Sequence, residues 1–129
     1  MSPVLSDPRG SIQATAAVRL LVGLVVLVAP RRTAGALLGT TGPSDETLLA
    51  LRMFAGRDAA LGLGALLAAR HPSSALRGWA EAGVLADATD ALAFAVTRSV
   101  KPMLRLGLAL VAATATVSGA MSARRLPQP

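Results

Sequence analysis

Residues 50–70 read Ala50-Leu-Arg52-Met-Phe-Ala-Gly-Arg57-Asp58-Ala-Ala-Leu-Gly-Leu-Gly64-Ala-Leu-Leu-Ala-Ala-Arg70. The run is apolar, rich in helix formers and long enough for six turns, yet three ionisable groups sit near its middle. A second such run follows after His71-Pro72-Ser73-Ser74, with Asp87 and Asp90 near its middle. A charge at the centre of a bilayer-spanning helix costs roughly 2.5–3.5 kcal/mol on insertion scales, so such groups face the interior of a bundle and pair there. The two runs therefore read as the arms of a membrane helical hairpin that neutralise one another.

Depth supports the pairing. If the chain reverses near Pro72, residues equally distant from it lie level, because both helices rise about 1.5 Å per residue. Arg57 then stands level with Asp87, and Arg52 within arginine reach of Asp90. Asp58 is left over, with Arg19 on an earlier apolar run at a similar depth. Arg19, Arg52, Arg57, Asp58, Asp87 and Asp90 form an expected intramembrane charge cluster of three cations and three anions. Gly56, Ala60 and Gly64 on one arm, and Gly83 and Ala91 on the other, are the expected packing positions, since small residues let membrane helices approach closely.

The rest of the chain fits the same architecture. Of 129 residues, 53% are hydrophobic and 16% charged, too little polar surface for a water-soluble domain of one core. Residues 11–30 form a first spanning candidate, ended by Pro30-Arg31-Arg32. The short piece 33–38 either lies along the interface or extends the first helix beyond a kink. Gly39-Thr-Thr-Gly-Pro43 is a loop. Ser44 is a candidate N-cap, with Asp45 and Glu46 at the positive end of the helix dipole. Spans are expected at 46–69, 76–97 and 103–123, with a turn at Ser99-Val100-Lys101-Pro102, a polar arm at 1–10 and a polar tail at 124–129. The fold class is thus all-α: one domain, a four-helix transmembrane bundle of antiparallel hairpins in the cell membrane.

Four spans put both termini on one side. Basic residues near span ends do not orient the bundle: Arg9, Arg70, Arg77, Arg124 and Arg125 on the terminal side face Arg31, Arg32, Arg98, Lys101 and Arg105 on the other. The arginine pair after the last span leads us to expect cytoplasmic termini.

Composition excludes several chemistries. There is no cysteine and one histidine, so thiolate nucleophiles, cysteine-bound clusters and histidine metal sites are ruled out. The net charge of +6 sits at the ends of apolar runs, where it meets lipid head groups, and Trp79, Phe54 and Phe94 are too few for nucleic-acid stacking. Asp87 and Asp90 share a helix face as metal-binding carboxylates do, but two opposing arginines point to salt bridges. Glu81, four residues after Arg77, suits a local surface pair. We expect no enzymatic activity and no cofactor.

The segment Arg52-Met-Phe-Ala-Gly-Arg57-Asp58-Ala-Ala-Leu-Gly62, followed by Leu85-Ala-Asp87-Ala-Thr-Asp90, resembles an uncharacterised family of small four-helix integral membrane proteins of bacteria. That resemblance implies the architecture and brings no activity with it. Small four-helix drug exporters are similar in length and helix number, but they rely on a glutamate in the first helix and on aromatic residues. The first helix here has Arg19 and no acid. The expected role is an accessory or structural subunit in the lipid bilayer, a homo-oligomer or part of a larger membrane complex. The alternative is an oligomeric proton-coupled or ion transporter using its intramembrane carboxylates.

Overall fold

A computed structural model of the chain describes residues 7–71, 74–98 and 101–126. Pro72, the expected pivot of the hairpin, and Ser73 lie outside the described residues. So do Ser99 and Val100 of the next turn, residues 1–6 of the polar arm and 127–129 of the tail.

Among the described residues the protein is all-α, with five helices and no strand: α1 (Pro8–Val28), α2 (Pro30–Leu38), α3 (Asp45–Ala68), α4 (Ala75–Val96) and α5 (Pro102–Arg124). Local chemistry sets their ends. Asp7 accepts a hydrogen bond from the Arg9 amide at 3.0 Å and Pro8 occupies the first turn, so α1 starts three residues before the expected 11. Pro30 does more than end the first helix: with its φ already helical and no amide hydrogen to satisfy, it opens α2. Gly39 closes α2 in the left-handed region at φ 65°, and its amide returns to Gly35. Ser44 caps α3 by accepting from the Thr47 amide at 3.3 Å, as its position before Asp45 and Glu46 suggests.

α1 packs chiefly on α3, and α4 on α5, with lighter contact joining α3 to α4. Two glycines let α1 and α3 meet backbone to backbone. A Cβ at Gly23 would fall 2.6 Å from the Ala55 carbonyl oxygen, and one at Gly62 would fall 2.6 Å from the Leu20 amide. The first contact joins the end of α1 to the start of α3 and the second reverses this, so the two helices run in opposite senses. Gly64 meets the ring of Trp79 across the α3–α4 contact, and Gly119 of α5 meets Val84 of α4.

The inner and outer faces differ in kind. Inside lie mostly small residues, Ala16, Ala55, Ala65, Ala112 and Ala123 among them, with Asp58 the buried charge among the described residues. Outside lie Val18, Leu21 and Val25 of α1, Leu85 and Leu92 of α4, and Leu110 and Val111 of α5, all at least half exposed. α1 and α5 are long and apolar enough to cross a membrane. At 21 and 23 residues they span about 32 and 35 Å at 1.5 Å per residue, against a hydrocarbon core of about 30 Å. α3 and α4, 24 and 22 residues long, are comparable in length but carry more charge.

Candidate functional site

Three helices contribute to one ionic chain. Arg19 of α1 donates from Nη1 to Asp58 Oδ1 of α3 at 2.8 Å, and its Nη2 pairs with Asp87 of α4 and donates to the Gly83 carbonyl at 3.3 Å. Arg57 of α3 holds Asp90 of α4 with both ends of its fork, at 2.9 and 2.6 Å, and approaches Asp58 at 3.9 Å. The order Asp87–Arg19–Asp58–Arg57–Asp90 alternates in sign. Arg19, Asp58 and Asp87 are nearly enclosed, with 12%, 10% and 13% of their side chains exposed, whereas Arg57 keeps 36%. The Arg57 guanidinium also lies 5.0 Å from the centre of the Phe54 ring, within cation–π range.

The partners differ from those expected from depth. Asp87 answers to Arg19 instead of Arg57, and Asp90 to Arg57 instead of Arg52. The cause is helical phase: residues three apart differ by about 60° around the axis, so Asp87 turns toward α1 while Asp90 turns toward α3. Arg52 is exposed and makes no ion pair among the described residues. The cluster therefore contains two guanidiniums and three carboxylates, not three of each. Arg77 and Glu81 do pair locally, Nε to Oε1 at 2.7 Å.

The small residues also sort differently. Gly64 and Gly83 stand at contacts: a Cβ at Gly83 would lie 3.7 Å from the Arg19 guanidinium. Gly56 faces open space, Ala60 is exposed and Ala91 is half-buried. The close α1–α3 approach runs through Gly23, Gly62, Ala55 and Ala59, which the expected set omits. Gly62 and Ala55 lie seven residues apart, about 20° from the same face, and Ala16 and Gly23 on α1 have the same spacing. That matched spacing was the available signal.

Beside the ionic chain lies a cleft of about 50 Å³, bounded by α1, α3, α4 and α5. Arg19 and Asp87 stand at one part of its wall, Thr15 and Ser118 farther along, and Trp79 and Val84 give it an apolar side. Ser11 and Ser122 close α1 toward α5, their hydroxyls 3.5 Å apart. At the same end of α1, Arg9 donates to the carbonyls of Ala69 and His71, both at 3.2 Å, and so ties α1 to the end of α3. No three histidine, aspartate or glutamate side chains gather as a metal site among the described residues. Set against family models, curated proteins and solved structures, the chain matches none.

Proposed function

We propose that the chain is a multi-pass membrane protein in which α1, α3, α4 and α5 cross the bilayer as antiparallel hairpins and α2 lies at the interface. It acts without enzymatic activity, as an accessory or structural subunit that packs against a second copy or a larger membrane complex. One observation carries this reading: many branched aliphatic side chains of α1, α4 and α5 stand on the outside, while the ionic chain and a large share of the small residues lie between the helices. In water that arrangement leaves many large apolar side chains uncovered, whereas lipid accepts them. The ionic chain then serves as a pin that fixes which helices pair and at what register. The Arg52–Gly62 segment supports a proposed resemblance to small four-helix membrane proteins, and the arginine pair after α5 favours cytoplasmic termini.

Native mass spectrometry of the protein extracted gently from its own membranes tests the role. A larger partner at fixed stoichiometry supports the accessory subunit; a monomer free of protein partners contradicts it. A second reading, an oligomeric ion or proton transporter, is favoured by the cleft that reaches the Arg19–Asp87 pair. It requires a flux in proteoliposomes that Asp87→Asn abolishes while the protein stays folded.

A further inference from the structure

Arg52 is the member of the expected charge cluster that the ionic chain leaves out, and it stands exposed on α3. Its depth follows from the contact between α1 and α3. Gly23 lies level with the stretch between Ala55 and Ala59, and Gly62 with that between Ala16 and Leu20. Carried along both helices at about 1.5 Å per residue, that register sets Arg52 level with Val28, the last residue of α1. Arg31 and Arg32 follow Val28 closely, both exposed in the first turn of α2. Three guanidiniums therefore stand near one level, where the apolar run of α1 ends.

None of the three makes an ion pair among the described residues, whereas at the opposite end Arg9 is spent on two carbonyls and Arg77 on Glu81. The positive end of the α2 dipole falls beside Arg31 and Arg32, with no acid in its first turn. α4 runs back against α3, since Gly64 meets Trp79 while Arg57 meets Asp90. Arg98, Lys101 and Arg105 therefore lie at this same end. Against these six cations stand Asp45 and Glu46, which form no ion pair with any of them among the described residues. An arginine on a lipid-facing surface needs an anion, and a head-group phosphate is the one a membrane supplies at the boundary of its apolar core. The planar guanidinium fork matches phosphate geometry. Around Arg52 the outer face of α3 carries Leu49, Met53 and Leu63, all exposed, with Gly56 leaving open space among them.

We propose that Arg31, Arg32 and Arg52 bind the phosphate of one anionic phospholipid, whose acyl chains run down the outer face of α3 past Gly56. The positive field of this whole end selects an anionic head group over a zwitterionic one, whose own cation it repels. Such a site rests on the membrane-embedded bundle proposed above and gives that bundle a specific lipid partner.

The full chain in neutral-detergent micelles is titrated with phosphatidylglycerol or with phosphatidylcholine of the same acyl chains, and lipid-bound protein is counted by native mass spectrometry. The expected result is one phosphatidylglycerol held about tenfold or more tighter than phosphatidylcholine. Arg52→Ala, and the double variant Arg31→Ala with Arg32→Ala, should each cut that preference about fivefold, with helicity unchanged. Arg70→Ala, an exposed arginine at the opposite end, should leave it as it was. Equal affinity for the two lipids overturns the proposal, as does a preference that survives loss of all three arginines or falls as far in Arg70→Ala. Competition by glycerol phosphate at matching concentration points to a free phosphate ligand and overturns the lipid assignment. Should Arg52→Ala misfold, the double variant decides. Both lipids bound without preference would leave the membrane bundle standing, whereas a protein that takes up neither and stays dispersed without detergent would contradict both.

Discussion

Arg57 grips Asp90 through two parallel hydrogen bonds of 2.9 and 2.6 Å, and this fork joins α3 to α4 across their otherwise light contact. Removing one partner of an enclosed pair costs about 3–5 kcal/mol, but Arg57 is 36% exposed, so a smaller loss of about 1–3 kcal/mol is expected for Arg57→Ala. A double-mutant cycle of Arg57→Ala with Asp90→Ala in mixed-micelle unfolding should give a coupling of about 1–2 kcal/mol. The same cycle with Asp87→Ala should come closer to additivity. Arg52→Ala should stay within about 0.5 kcal/mol of the parent.

Arg19 holds two carboxylates from two helices, and its loss strands both. Arg19→Ala is therefore expected to be the most damaging single change in the ionic chain, at about 3–5 kcal/mol or failure to accumulate in the membrane. Arg19→Lys keeps the charge but cannot reach Asp58, Asp87 and the Gly83 carbonyl from one planar fork. Its stability should fall between that of Arg19→Ala and the parent. Membrane abundance by immunoblot, followed by thermal unfolding of whatever accumulates, gives the ranking.

Gly23 and Gly62 mark where α1 and α3 touch through backbone. Gly23→Val and Gly62→Val push a branched side chain against main-chain atoms that have no rotamer to yield, at an expected cost of about 1–3 kcal/mol or more. Gly56→Ala meets open space and relieves a helix of a glycine, so it should be neutral or stabilising by up to about 1 kcal/mol. Unfolding midpoints of the three variants compare the sites directly.

Arg9 places its guanidinium on the carbonyls of Ala69 and His71, where the α3 dipole is negative. Arg9→Ala should cost about 1 kcal/mol. The loss should be local, read as faster amide exchange at residues 69–71 and the start of α1, with α5 unchanged.

Much of the helical layout was legible because it follows from local chemistry. Ser44 before Asp45 and Glu46 announces α3, and the expected spans at 46–69, 76–97 and 103–123 differ from the helices by a residue or so at each end. The charged residues were legible as a group for the same reason: their cost in apolar runs singles them out. Their partners were not, because pairing depends on rotation as well as depth. Asp87 and Asp90 differ by one turn in height but face different helices. Arg52 looked equivalent to Arg57 by composition, yet five residues put it about 140° around the axis, on the exposed side. Gly23 and Gly62 escaped notice because the close approach depends on which helices pair, and α1 with α3 is a non-sequential choice made through Arg19 and Asp58.

The proposed membrane bundle requires lipid to cover the aliphatic outside of all four long helices, including the charge-bearing α3 and α4. The protein has no cysteine, so one introduced at Leu92 of α4 is a unique probe. Leu92 is 65% exposed on the chain, and a thiol there reacts readily if water reaches it, since the thiolate is the nucleophile. Labelling with a charged maleimide in opened native membranes is the decisive measurement. The expected result is no labelling of the Leu92→Cys protein until detergent is added, while Arg98→Cys labels at once. Equal and rapid labelling at both positions without detergent would contradict the embedded bundle.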